Sequence, residues 1–343
     1  MDDELYDLQH PDFIWTWKES GRGVRQSLWL PYLSRVEPIR RSACWKVEYN
    51  GGTVEADLSK IDFIMLYGAT GDLPVAFLDA LNEARVCLMV HRRNKPRPYI
   101  FLPASGADDD DLLSAQILAR ANMLSSAYVA RTLIRERLHG FAGTVAIAAT
   151  EFKKLSATRT VDAVRSIEAT QTLRYWRAYF AALGFPELSR RDSEHPINDA
   201  LNAGSFFLHG ILLRWALFHK LSPSHGFLHR PTDYLSLVFD LIEPYRIWVE
   251  NSVAEAVLDG VSEKQALIAE SIRRLKERLE EPVYVPATRQ TARRKSLLHG
   301  SVLSLRAWLL NKQTRLVLPI EGSKKGGRPP LIAYTIPGYR VGN

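Results

Sequence analysis

The hydrophobic period of this chain changes once, and that change limits the fold more than any other feature. Over residues 43–102 apolar positions recur every second residue or in short unbroken runs, the texture of strands. Cys44-Trp-Lys-Val-Glu-Tyr49 alternates, Asn50-Gly-Gly52 is a hairpin signal, and Thr53-Val-Glu-Ala-Asp-Leu58 alternates again. Residues 61–67 and 86–90 read as buried strands with a short helix between them at 73–84, and 99–102 closes the set. Gly106-Ala-Asp-Asp-Asp-Asp111 is a polar hinge whose acids suit the start of a following helix by opposing its dipole. From 112 to 279 the period is helical, in segments near 112–138, 161–183, 196–220, 234–258 and 262–279. The expectation is an α+β protein: a small N-terminal β-sandwich-like domain at 1–106, followed by a larger all-helical catalytic domain at 107–343. The first forty residues, with Trp15, Trp17 and Trp29, show no definite element, and packing against the β domain or a partner is the default for them.

At 343 residues with 46% hydrophobic content the chain can bury a substantial core, and its length suits two domains. Charge interrupts every apolar run before the roughly 20 residues that a membrane span needs, and Met1-Asp-Asp-Glu lacks the basic start of a secretory signal, so no membrane segment is expected. Cys44 and Cys87 lack CxxC spacing, which argues against a disulfide framework or structural zinc and fits a cytoplasmic location. The net charge is +7, yet residues 285–328 alone carry ten Lys and Arg against one acid, Glu321. That excess is the footprint of a phosphate-backbone binder or of a solubilising tail. The reading is a basic C-terminal arm at about 285–343, with Arg293, Arg294, Lys295, Lys324 and Lys325 as candidate DNA contacts.

Chemistry concentrates in Gly226-Phe-Leu-His-Arg-Pro-Thr-Asp-Tyr-Leu-Ser-Leu-Val-Phe-Asp-Leu-Ile-Glu-Pro-Tyr-Arg246, where His229, Asp240, Glu243 and Arg246 interrupt an apolar segment. Buried acids need a cation or hydrogen-bond donors to offset desolvation. Asp240 and Glu243 are three apart and share a face on a helix. An unbroken helix would separate His229 from Asp240 by about 16 Å, too far for a shared site. Pro231 suits a loop or first turn, so His229 is expected on a loop that folds back over a helix beginning near Tyr234. Two other patterns are discounted. His225 and His229 have zinc-pair spacing but lie around Gly226 in a loop, and Gly68-Ala-Thr-Gly71 lacks the lysine of a phosphate loop.

The order Gly-Phe-Leu-His, short loop, Ser-Leu-x-x-Asp-Leu-x-Glu-x-x-Arg resembles the signature of the CRISPR-associated adaptation integrase, the Cas-one family. Ser166-Ile-Glu168-Ala-Thr-Gln-Thr-Leu-Arg-Tyr175-Trp resembles that family's glutamate block, and Pro196-Ile-Asn198-Asp-Ala-Leu201-Asn202-Ala-Gly its asparagine-rich helix. A Leu-Ser-Ala-Gln-Ile-x-x-Arg pattern with Gln116 and Arg120 extends the resemblance upstream. Three blocks in order are far more specific than any one of them.

The resemblance implies that Glu168, His229 and Glu243 bind one Mg2+ or Mn2+ ion, and that Asp240 supports them by orienting a ligand or a water. Without it, Glu168 reads as a solvated acid near a helix start. Asn198 and Asn202, four apart, could hold a DNA phosphate or make interhelical hydrogen bonds. Arg246 could neutralise a phosphate or pair with Glu243. The implied reaction joins the 3′-hydroxyl ends of captured foreign DNA to a CRISPR repeat, with hydrolysis as a side reaction. The implied partners are double-stranded DNA, a second copy of the chain through the β domain, and the small ferredoxin-like adaptation protein, the Cas-two family. Two rivals are a mobile-element (casposon-type) integrase with the same site and a non-catalytic DNA-binding scaffold.

Overall fold

The computed structural model describes residues 26–92, 98–103, 111–324 and 331–337. The hinge at 106–110, Lys325 and the first 25 residues lie outside them. The chain divides into two compact units, residues 1–108 with Leu213–Phe218, and residues 109–212 with 219–343.

The first unit is built of strands. β1 (Gln26–Pro31), β5 (Ile61–Tyr67), β6 (Cys87–His91) and β7 (Tyr99–Phe101) form one sheet in the order β1-β5-β6-β7, in which only β6 and β7 are antiparallel. β2 (Arg35–Pro38), β3 (Cys44–Tyr49) and β4 (Gly52–Asp57) form a second, antiparallel sheet. The β3–β4 turn is the two-residue Asn50-Gly51 type that the sequence indicated, with Tyr49 opposite Gly52. Parallel strands need a crossover, and α1 (Val75–Ala84) supplies it between β5 and β6. Trp45 of β3 meets Phe77 of α1 edge-on at 4.9 Å, so the short sheet and the helix share a core. Residues 26–38 carry no clear strand period in the sequence. β1 runs Ser27-Leu-Trp-Leu-Pro with all five buried or nearly so, and a strand covered on both faces shows no alternation.

The second unit is helical: α2 (Leu112–Ala121), α3 (Met123–Gly140), α4 (Ala149–Ala157), α5 (Val161–Ala182), α6 (Pro196–Phe218, of which Leu213–Phe218 belongs to the first unit), α7 (Ser236–Ile242), α8 (Arg246–Leu258), α9 (Lys264–Glu280) and α10 (Arg294–Leu309). α3 lies centrally, packed against α2, α4, α5, α7 and α8. Two expected helices are divided. The segment near 112–138 breaks at Asn122, which ends α2 and caps α3 by accepting from Ser125 N. The segment near 234–258 breaks at Pro244, whose missing N–H leaves a 3₁₀ turn, Glu243–Tyr245, between α7 and α8. α6 is long and apolar enough to cross a membrane, but 67% of that stretch is buried within the protein, as in a core helix.

The basic C-terminal stretch is folded over most of its described length. Residues 282–309 form a hairpin of β8 (Pro282–Val285) and β9 (Gln290–Arg293) followed by α10, which is buried along much of its length against α2, α7 and α9. Apolar positions Leu297, Leu298, Val302 and Leu305 carry that burial. No disulfide joins Cys44 and Cys87.

Candidate active site

His229 stands on a loop, residues 225–235, that is wound around one carboxylate. Asp240 of α7 is fully buried and accepts from the backbone N–H groups of Phe227, Leu228 (2.9 Å) and His229 (2.9 Å), and from His229 Nδ1 at 2.8 Å. A carboxylate only accepts, so Nδ1 carries a proton, and in the neutral ring Nε2 has a lone pair for another partner. The loop folds back over the helix as its proline and spacing indicated. Ser236 Oγ accepts from Gly226 N at 2.9 Å and donates to Ser224 O at 2.8 Å. A Cβ on Gly226 would lie 2.6 Å from His229 O and 2.7 Å from Ser236 carbonyl atoms, so only glycine allows the two strands of the loop to meet.

From the other side α2 holds the same loop. Gln116 Nε2 donates to Ser222 O and His225 O, both at 2.9 Å, its Oε1 accepts from Ser222 N at 2.8 Å, and Arg120 Nε donates to Gly226 O at 2.9 Å. These are the Gln and Arg of the upstream pattern, here scaffolding rather than reacting groups.

Glu243, at the end of α7, is buried and accepts from Arg246 Nη1 at 3.0 Å, with Arg137 Nε 3.7 Å away. Burial pushes its carboxyl up, but the two guanidinium charges outweigh that and hold it below the ordinary value. Arg137 is itself buried, paired bidentately with Glu250 of α8, which also accepts from Tyr175 Oη at 2.7 Å. Nothing in the sequence marked Arg137 or Glu250, because their partners are 113 residues apart.

Glu168 lies mid-way along α5, not at its start, so the dipole reading of this acid does not apply. Thr172 Oγ1 donates to it at 3.0 Å. Burial first, then the charge of Glu243, raise its carboxyl, while His229 and Arg246 pull it back. His229 is raised: burial lowers it, and Asp240, Glu243 and Glu168 together more than reverse that. His209 of α6, which no sequence signal marked, lies tilted against Phe239 with ring centres 4.2 Å apart. Burial and the charges of Arg246 and His229 lower it to about 3, so it is a neutral ring beside the site.

Glu168, His229 and Glu243 are thus within electrostatic reach of one another, although no three His, Cys, Asp or Glu among the described residues are gathered at metal-binding distance. By chemistry the set fits a hard divalent ion. It offers two carboxylates, one made harder to ionise by the other, and an imidazole whose second nitrogen is held by a carboxylate.

Four of the expected DNA contacts are committed elsewhere. Asn198 is buried, donates to Ser189 O at 2.7 Å and Asp192 O at 2.9 Å, and accepts from Arg190 at 2.6 Å. Arg293 pairs with Glu280, Arg294 with Glu281 and Glu321, and Lys295 is buried. Glu280 and Glu281, outside the stretch counted in the sequence, and Glu321 pair with two of its arginines. Lys324 is exposed, its ammonium 5.7 Å from the Tyr284 ring centre.

The family model described as CRISPR associated protein Cas1 matches residues 39–278. The chain belongs to the Cas1 family. The CRISPR-associated endonuclease Cas1 of Methanopyrus kandleri is 32% identical over 161 residues, 43% of this chain and 48% of that protein, so the chain matches about half the length of this curated relative. Among solved structures, a Cas1 protein from Thermotoga maritima aligns with a TM-score of 0.72 at 18% identity, over 88% of this chain and 100% of its own. A casposase bound to an integration product aligns at 0.73 with 16% identity, over 85% and 93%. At such identities these two share the Cas1 fold with the chain. Small strand-built sheets followed by a helical region, the order read from the sequence, is that fold.

Proposed function

We propose that this Cas1 protein is a metal-dependent DNA integrase and endonuclease of CRISPR adaptation. The observation that carries the reading is the electrostatic coupling of Glu168, from one sequence block, with His229 and Glu243, from another, beside an imidazole oriented by Asp240, in a chain of the Cas1 family.

Glu168, Glu243 and His229 Nε2 would hold one Mg2+ or Mn2+ ion, which when bound polarises the scissile phosphate and stabilises charge on the leaving oxygen. Asp240 keeps the proton on His229 Nδ1, so that Nε2 is presented as a lone pair. Arg137 and Arg246 keep Glu243 ionised and pin its two oxygens. Arg246, partly exposed, also offers a guanidinium to a phosphate oxygen. The 3′-hydroxyl oxygen of the captured fragment attacks phosphorus, a new P–O bond forms, and the bond to the repeat's own 3′ oxygen breaks. The proton of the hydroxyl ends on that leaving oxygen. Water in place of the hydroxyl gives hydrolysis at the same centre.

The partners in this reading are double-stranded DNA, a second copy of the chain docked through the β unit, and the small Cas-two protein, in the cytoplasm. The casposase likeness sustains a second reading, integration of mobile-element ends by the same residues. Presenting purified protein with fragments bearing repeat DNA or unrelated plasmid separates them: joining confined to the repeat edge supports adaptation, and joining indifferent to the repeat favours the mobile-element reading.

A further inference from the structure

The ion pairs of the site leave one cation over. Glu250 takes Arg137, Glu243 takes Arg246 and Arg137, and Asp240 takes His229. Arg190, in the segment between α5 and α6, has no carboxylate at ion-pair distance among the described residues. It is held by neutral groups. Nη1 donates to Asn198 Oδ1 at 2.6 Å, Nη2 donates to Asn202 Oδ1 at 2.7 Å, and the guanidinium lies 5.2 Å from the Trp176 ring centre. Asn198 in turn donates to the carbonyls of Ser189 and Asp192, fixing the backbone on both sides of Arg190.

Such seating has a chemical consequence. Amide oxygens satisfy the geometry of a guanidinium fork without neutralising its charge, and the fork has further N–H groups for another partner. Burial and the like charge of Arg246 lower Arg190 to about 10, against Glu250 and Tyr179, which raise it, so it stays charged at neutral pH. Arg246 acts on both Arg190 and Glu168, and Trp176 follows Glu168 by two turns of α5, about 12 Å along its axis. One B-form strand covers that distance in about four nucleotides at ~3.4 Å each.

We propose that Arg190 is a phosphate-positioning residue: preseated by Asn198, Asn202 and Trp176, it grips a backbone phosphate of the bound strand within about four nucleotides of the reacting one. The inference rests on the DNA reading above and assigns the asparagine helix its part, which is to aim an arginine rather than to touch DNA.

The test measures affinity of the full-length protein for a labelled duplex with free 3′-hydroxyl ends, across a salt series, for wild type, Arg190→Gln and Arg190→Lys, followed by wild type on duplexes carrying one methylphosphonate at each successive nucleotide. Arg190→Gln should bind about tenfold more weakly and lose about one unit of salt slope, whereas Arg190→Lys keeps the slope, which a purely structural staple would not do. One methylphosphonate position should weaken wild type and leave Arg190→Gln indifferent. An unchanged slope in a folded Arg190→Gln, or no methylphosphonate position that weakens wild type within that range, overturns the proposal, and the second result stands even if Arg190→Gln does not fold. Wild type that joins DNA while Arg190→Gln keeps its slope removes only Arg190's role. Wild type that binds no duplex removes the DNA reading together with it.

Discussion

At the scale of the residue, Asp240 decides the chemistry of His229. It uses one carboxylate to collect three backbone N–H groups and an imidazole, so its loss both orphans buried donors and frees the ring to turn. Asp240→Asn should cost about 1–3 kcal/mol for each donor left unpaired, read by chemical denaturation, and weaken metal affinity by about 10–100-fold, read by calorimetry. The pKa directions give a second prediction. His229 and Glu168 both hold protons more tightly than ordinary side chains of their kind. Each must release its proton to bind an ion, so Mn2+ affinity should rise with pH through both elevated values, and Glu168→Gln should remove the lower part of that rise. Stability runs the other way for His229. Its proton favours the folded state, so that contribution is complete below about 6.5 and fades as pH climbs through the raised folded value. Asp240→Asn should flatten this portion of a melting-temperature profile.

At the scale of the element, the site is a loop and three helix segments clamped by two networks, Gln116–Arg120 on one side and Arg137–Glu250–Tyr175 on the other. Arg137→Leu leaves Glu250 charged and buried, and should destabilise the protein by about 3–5 kcal/mol in urea unfolding. A double replacement of Arg137 and Glu250 by apolar residues should recover much of that loss while Glu243, deprived of one cation, stays impaired in metal binding. Gly226→Ala should disorder the His229 loop through the backbone contacts a methyl would meet. Elements with a clear period were legible in the sequence: the β3–β4 hairpin, β5, α1, β6 and the long helices α5, α6 and α9. So was the fold-back of His229, from a proline and a distance. β1 was not, because a doubly covered strand does not alternate. α10 was not, because Arg293-Arg-Lys295 at its start reads as a charged tail until Glu280, Glu281 and Glu321 are seen beside it. The roles of Asn198 and Arg137 were hidden for the same reason, since their partners come from other elements.

At the scale of the whole molecule, the chain is a strand-built unit and a helical unit with the candidate chemistry wholly in the second. Its charge is less lopsided in space than in sequence. Lys324→Glu should therefore lower DNA affinity and the salt slope with little effect on melting, whereas Lys295→Glu should act mainly on stability, by burying an acid; the two are separated by running binding and thermal denaturation on the same preparations. The most direct test of the central claim is joining of a short duplex with free 3′-hydroxyl ends to a supercoiled plasmid carrying a CRISPR repeat, with Mn2+ and the small Cas-two partner, for wild type and His229→Ala. The account predicts covalent products at the repeat edge that vanish with EDTA and in the variant. Products that persist in EDTA, or equal joining by a folded His229→Ala, would contradict it.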